Sequence, residues 1–286
     1  MSHSSASPVT ALMPLRHYEP RFLDEALDSL AGQTSPDWRL VVIAEPGDLV
    51  AFRMLLARRL EDPRVTLVAN EGRKLAGAFN TGMRAATSEF VAILLADDRW
   101  APHAVETLHA SIRAHPEADF FHSGRRIIDG DGRALSGVYA PPDRVSAEDF
   151  VWAGVVKHLL CWRRAMALAA GGMDESLNSV GPDDYDFPWT MLEHGAVFRA
   201  VNDCLYLYRD HRDGYRLTTH LPRSVHLREL RRILRKHGVS ERLIRERLRA
   251  SKRGYLRECL YRNELHRRLA LLLRRQPGTV WRQTYR

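Results

Sequence analysis

Short β-rich stretches separated by helical patterns run through the first 122 residues, and they restrict the fold more than any other feature of the chain. The stretches at 9–13, 39–43, 64–69, 90–95 and 118–122 are rich in apolar residues suited to strands. Between them Phe22, Leu23, Ala26, Leu27 and Leu30 recur at helical spacing, as do apolar residues across 49–60 and across 101–114, the last behind Pro102. Strands alternating with helices predict a mostly parallel sheet covered on both faces. Such sheets bind ligands at the carboxyl ends of their strands, which here means residues 14–16, 45–48, 70–74 and 97–98. Beyond about residue 123 the pattern changes. Asp129-Gly130-Asp131-Gly132 is a turn signal between two extended stretches, and strand, hairpin and helix mix.

The chain has 286 residues, enough for one large α/β domain or two modest ones. With 45% hydrophobic and 27% charged residues it has the material for a core, which excludes disorder as the overall state. The apolar runs at 91–96 and 269–273 fall far short of the ~20 residues of a membrane-spanning helix. The first ten residues lack the basic and apolar regions of a signal peptide. Cys161, Cys204 and Cys259 are odd in number and form no CxxC pair. A reducing, cytoplasmic setting is therefore expected, with or without attachment at the inner membrane face.

Charge is unevenly placed. Residues 220–286 hold 20 basic and 5 acidic residues, a net of +15, whereas the preceding 219 hold 23 and 30, a net of −7. The basic segment also has helical apolar spacing, at Leu227, Leu230, Ile233 and Leu234, then Leu243, Ile244 and Leu248, then Leu256, Leu260, Leu265 and Leu269. Two readings stand: helices that pack an apolar stripe on the body or on a second subunit, and a surface for anionic lipid headgroups. A nucleic-acid reading ranks last, because the body is acidic and no aromatic-interleaved basic motif or zinc spacing accompanies the arginines.

Two acidic pairs are the candidates for chemistry. The buried-strand pattern at 90–96 ends in Asp97-Asp98-Arg99-Trp100. Carboxylates at a strand's carboxyl end can hold a divalent cation that bridges a diphosphate, or can cap the next helix. The second pair, Asp183-Asp184, precedes a helical stretch at 187–194. It suits either capping or a general base at the mouth of a cleft. The glycines at 72, 77 and 82 have neither dinucleotide-binding nor P-loop spacing.

In order along the chain, eight segments resemble the family 2 glycosyltransferases. They are the strand ending at Pro14; the segment from Phe22 to Gln33 and Thr34; Trp38 to Ile43; Asn70-Glu71-Gly72 with Ala78-Phe79-Asn80-Thr81-Gly82; Leu94 to Trp100; Gly171-Gly172-Met173-Asp174-Glu175-Ser176-Leu177; Asp183-Asp184-Tyr185-Asp186; and Leu205-Tyr206-Leu207-Tyr208-Arg209-Asp210-His211. The resemblance covers about residues 8–212. It implies an α/β fold of the GT-A type, Rossmann-like with a mostly parallel central sheet, here followed by a basic helical extension. The nucleotide-sugar half would be 1–115, the acceptor half 116–219 and the extension 220–286.

The resemblance implies an inverting enzyme that moves a sugar from a nucleotide-sugar donor to a hydroxyl of a glycan, lipid-linked or small-molecule acceptor. Asp184 would be the catalytic base. Pro14, Arg16, Glu45, Lys74, Asn80 and Asp97 would meet the donor, Asp97 at its ribose or at the metal. Asp98 and His211 would face Mn²⁺ or Mg²⁺, and Asp183 and Trp189 would lie on the acceptor side. The chain departs from the family at several places. Ala44-Glu45 stands where two aspartates are usual, Arg16 where an aromatic is usual, Leu95 at the first acid of the metal motif, and Phe79 at an arginine. Arg73 and Lys74 are cations that can compensate near the diphosphate. These changes motivate an alternative: a GT-A-like binding or scaffold subunit with altered donor recognition.

Overall fold

The computed structural model describes residues 9–177, 181–210 and 223–262. In chain order these form β1 (Val9–Leu15), α1 (Pro20–Ala31), β2 (Trp38–Ala44), α2 (Leu49–Leu55), β3 (Val65–Ala69), α3 (Lys74–Ala85), β4 (Phe90–Ile93), β5 (Arg99–Trp100) and α4 (Ala104–Ala114). Next come β6 (Phe120–Ile128), β7 (Ala134–Tyr139), α5 (Ala147–Trp152), β8 (Leu160–Arg163), α6 (Arg164–Ala169), α7 (Phe187–Glu193), β9 (Phe198–Arg209), α8 (Arg223–Lys236) and α9 (Glu241–Arg262).

One sheet takes the order β3-β2-β1-β4-β8-β6-β9-β5, with β7 alongside β6. β1 pairs in parallel with β2 and β4, β2 with β3, and β6 with β9. β8 is antiparallel to β4 and β6, β5 to β9, and β7 to β6. Six of the nine strands among the described residues therefore point one way, and the sheet is mostly parallel. Side chains alternate across it. Val9, Ala11, Met13 and Leu15 of β1 face a core built with α1, α2 and α4. Leu12 faces a second core with Phe79 and Met83 of α3, Trp189 of α7, Leu230, Ile233 and Leu234 of α8, and Ile244 and Leu248 of α9. The stripe expected at the start of the basic segment is thus buried on the body. The rest of that segment, 263–286, lies outside the described residues.

Two helix expectations are corrected. The helical pattern at 49–60 yields α2 only to Leu55, followed by a separate 3₁₀ turn at Arg59–Glu61. The helix expected from residue 101 begins at Ala104, because Ala101 and Pro102 are held elsewhere. Ala101 N–H bonds to Leu205 O on β9, and Pro102 O accepts from Thr34 N–H. Gln33 closes this corner: its side-chain oxygen accepts from Val105 N–H at 2.9 Å, and its nitrogen donates to Ala101 O at 2.7 Å. An amide from the end of α1 thereby satisfies a donor of the first turn of α4.

Candidate active site

β4 ends beside β1 at the middle of the sheet, and the turn after it carries Asp97 and Asp98. The two carboxylates face different surroundings. Asp98 is 1% exposed. One oxygen accepts from the Tyr206 hydroxyl at 2.8 Å, the other from Arg209 N–H at 2.7 Å. Burial, and then the Asp97 charge, push its carboxyl well above the usual range. Asp98, expected at the metal, is therefore turned into the protein and bound by it, while Asp97 is half-buried. Arg209 locks this arrangement. Its guanidinium donates to Asp97 O at 2.8 Å and Gly130 O at 2.9 Å, pairs with Glu25, and lies 4.2 Å from the Phe22 ring centroid. The tip of the β6–β7 hairpin, α1 and the acidic turn are thus tied by one buried cation.

Tyr206 connects this turn to the second acidic pair. Its hydroxyl accepts from Leu95 N–H, and its ring packs 5.2 Å from the ring of His158. His158 Nε2 lies 3.6 Å from Asp183 Oδ2, and Lys157 Nζ lies 3.7 Å from Asp184 Oδ2. The pair sits in a wide helical turn, Pro182–Asp186, in which Asp186 N–H reaches back to Gly181 O. The turn is anchored by the Tyr185 hydroxyl on Phe150 O and by Asp186, whose oxygens take Lys236 Nζ at 2.6 Å and His237 Nε2 at 3.0 Å.

The two acids diverge. Burial, and then the neighbouring Asp184 charge, raise Asp183 to about 7. Burial opposes ionisation of Asp184 too, but the Lys157 charge, with Arg125, overcomes it and holds that carboxyl below its ordinary value. Burial pushes His158 down to about 4, so it is neutral at pH 7. Asp184 keeps 29% of its side chain exposed. The site thus presents one ionised, accessible carboxylate beside one that holds a proton more readily, a pairing suited to general-base work. Lys157, His158, Arg125 and Tyr206 were not among the sequence candidates. Tyr206 lay in a quoted segment, but the other three carried no pattern.

The donor-side candidates gather at the start of α3. Asn70 donates to Glu45 Oε1 at 3.1 Å and to Lys74 O, and accepts from Gly72 N–H. Glu175 accepts from Arg73 N–H at 2.8 Å. Arg73 and Lys74 are exposed at the helix N-terminus, and Lys74 stands at φ 57°, a left-handed conformation that costs energy for a side-chain-bearing residue. Arg16 is exposed and Pro14 half-buried at the end of β1. Asn80, expected to touch donor, is 6% exposed. It exchanges hydrogen bonds with both Met173 N–H and O and donates to Glu175. Its role here is to join α3 to the 171–177 loop. Phe79, at the family's arginine position, is fully buried in the core.

A Cβ on Gly77 would lie 2.4 Å from the backbone carbon of Gly72, and one on Gly72 would lie 2.6 Å from Gly77 Cα. Gly77→Ala must therefore push the 70–74 loop off α3. We expect a loss of about 2 kcal/mol or more in denaturant unfolding, by overpacking, and weaker nucleotide binding.

Two further candidates fall elsewhere. Trp189, expected on the acceptor side, is 1% exposed and stacks on His237 with ring centroids 4.1 Å apart and on Phe150 at 5.7 Å. The apolar face of α7 places it in the core. His211 lies outside the described residues. Among the described residues no group of three or more His, Cys, Asp or Glu side chains converges as a ready-made metal cage.

A family model described as Glycosyl transferase family 2 matches residues 11–138. The O-antigen biosynthesis protein RfbC of Myxococcus xanthus is 26% identical over 213 residues, which is 72% of this chain but 16% of that protein. The chain thus spans about a sixth of that relative. S. aureus TarS in complex with UDP-GlcNAc superposes with a TM-score of 0.62 at 16% identity, over 79% of this chain and 65% of that one. The mannosyltransferase PcManGT of Pyrobaculum calidifontis, in complex with GDP-Man and Mn²⁺, gives 0.58 at 24% identity, over 87% of this chain and 70% of that one. Sheet order and superposition define the class: this is a GT-A fold. The matched family model over residues 11–138, the relatives and the structural neighbours together support a family 2 glycosyltransferase.

Proposed function

We propose that this protein transfers a sugar from a nucleotide-sugar donor to an acceptor hydroxyl with inversion at the anomeric carbon. The observation that carries the reading is the meeting of the two acidic turns: Tyr206 donates its hydroxyl to Asp98 at 2.8 Å and packs its ring 5.2 Å from His158, which lies 3.6 Å from Asp183. The donor lies along the strand ends, with its diphosphate near Arg73, Lys74 and the N-terminus of α3, where backbone N–H groups and positive charge favour an anion. Asp97, rather than the inward-bound Asp98, would hold a divalent cation: Mn²⁺ or Mg²⁺ suits a hard carboxylate oxygen of this kind and would supply charge stabilisation for the departing diphosphate. Asp184 accepts the acceptor's hydroxyl proton. The acceptor oxygen then bonds to the anomeric carbon as the opposite C–O bond breaks, and the electron pair leaves with the diphosphate. Asp183 keeps its proton and lines the acceptor side.

The acceptor is a glycan, a lipid-linked saccharide or a small molecule. A reducing, cytoplasmic setting accords with the free thiols of Cys161 and Cys204. Donor choice differs from that of family members with two aspartates after β2. Here Ala44 is buried and the Glu45 carboxylate is engaged by Asn70.

Calorimetry with UDP, GDP, dTDP and CDP, each with and without Mn²⁺, tests the reading. One nucleotide is expected to bind in a metal-dependent manner, and Asp97→Ala to remove that dependence. If no nucleotide binds the intact protein, the GT-A-like scaffold reading takes its place, favoured by the changes at Ala44 and Glu45.

A further inference from the structure

We propose that the groove between α8 and α9 is a seat for the phosphate headgroups of an anionic membrane surface. Leu227, Arg228 and Arg231 of α8 and Arg245, Leu248 and Arg249 of α9 line a groove of about 440 Å³. The spacings, four residues from 227 to 231 and from 245 to 249, put each set on one helix face. Four arginines around two leucines make a site that is cationic at its polar edge and apolar within.

The neighbouring basic residues have other work. Lys236 pairs with Asp186 and with Asp174, His237 with Asp186 and Glu193, and Arg235 with Glu241. Arg232 donates to Ser176, and Arg247 to Val151 O. These contacts fasten the helices to the acidic body. At the groove the balance is different. Glu229 lies 3.9 Å from Arg228 but also 4.0 Å from Arg232, and Glu241 is paired with Arg235 at 2.6 Å. Glu241 also feels the charges of Arg231 and Arg245, so two carboxylates, Glu229 and Glu241, stand against four groove guanidinium groups and the groove keeps a positive excess.

Charge decides the occupant. The chain's own remaining segment, 263–286, has six arginines and one glutamate, a charge of the same sign as the groove's. Among the described residues the groove is lined by leucines and arginines, with no aromatic ring on which a nucleic-acid base could stack. An anionic bilayer offers an array of phosphates to the four guanidinium groups. No helix among the described residues is long and apolar enough to cross a membrane, so the contact is peripheral. It is independent of the donor and acceptor assignments above.

The test uses the full chain and sedimentation with vesicles of neutral phospholipid or vesicles rich in anionic phospholipid. Binding is expected only to the anionic vesicles and is expected to weaken with salt. Each basic residue that reaches such a surface is worth about five-fold in partition. Replacing Arg228, Arg231, Arg245 and Arg249 by Gln should therefore lower binding on the order of 10²–10³-fold, while replacing all four by Lys should preserve it. If the four-fold Gln variant fails to fold, the pair Arg245→Gln and Arg249→Gln should still cost about 25-fold. Sedimentation of the Gln variants equal to the intact protein overturns the proposal. So does displacement by inorganic phosphate at constant ionic strength, which marks a free-anion site. Failure of the intact protein to bind, with a Gln variant of altered mass in light scattering, overturns it in favour of a subunit interface.

Discussion

Asp184→Asn is expected to slow sugar transfer by about 10²-fold or more while leaving metal-dependent nucleotide affinity unchanged. Asparagine preserves the size of the side chain and can still accept a hydrogen bond from Lys157, but it cannot take a proton. The geometry makes Asp184 rather than Asp183 the base. Asp183 is 8% exposed and its proton is held by burial and by the Asp184 charge. Asp184 is more exposed, and Lys157 keeps it ionised. The pH dependence has a definite sign. As pH falls, the first proton added to this pair goes to Asp183, and Asp184 remains a base until pH drops through its own depressed value. Transfer should therefore persist on the acid side of neutrality. Lys157→Met removes the main cation that lowers Asp184, so the acid limb of the rate profile should move to higher pH. Steady-state rates across pH, with nucleotide binding measured in parallel, check both expectations. An Asp184→Asn enzyme retaining more than about a tenth of the rate would transfer the role to Asp183.

The first half of this fold was largely legible because its strands and helices announce themselves locally. The apolar stripe of α1, the β4 run that stops at an acidic pair, and the turn at 129–132 are readable within a dozen residues. The candidate site was legible only where a feature was local. Asp97 and Asp98 are adjacent in sequence, and nothing in that pair says which carboxylate faces inward. The answer comes from Tyr206 and Arg209 on β9, more than a hundred residues away, which supply two donors to Asp98. Lys157 and His158 follow the same logic. They lie just before β8, which runs antiparallel between β4 and β6, and only that insertion brings them to the second acidic turn. Trp189 misled for the opposite reason. It is an aromatic close to an acidic motif, and a short helix turned it onto His237, a residue of the basic segment that no pattern linked to it.

Asp98 should reveal itself as a positioning residue through the contrast between two substitutions. Asp98→Ala leaves the Tyr206 hydroxyl and Arg209 N–H, both buried, without their acceptor. At about 1–3 kcal/mol for each donor left unsatisfied, the loss is about 2–6 kcal/mol, a large part of the stability of an ordinary domain. Asp98→Asn differs in kind. Its carbonyl oxygen can accept from Arg209 N–H, and its amide can donate to the Tyr206 oxygen, so the connection from β4 to β9 survives. The sign with pH follows from the raised carboxyl of Asp98. A group raised on folding contributes stability that is full below its unfolded value, near 3.9, and is lost as pH rises through its folded value. Relative to the wild type, Asp98→Asn should therefore gain stability toward neutral and alkaline pH and show no gain in acid. Denaturant unfolding at several pH values measures this. The same variant decides the metal assignment. If Asp97 faces the cation, Asp98→Asn retains metal-dependent nucleotide binding while Asp97→Asn loses it. A well-folded Asp98→Asn protein without metal-dependent binding would return the ligand role to Asp98, and the inward hydrogen bonds would then be the support of a metal-binding carboxylate rather than its replacement.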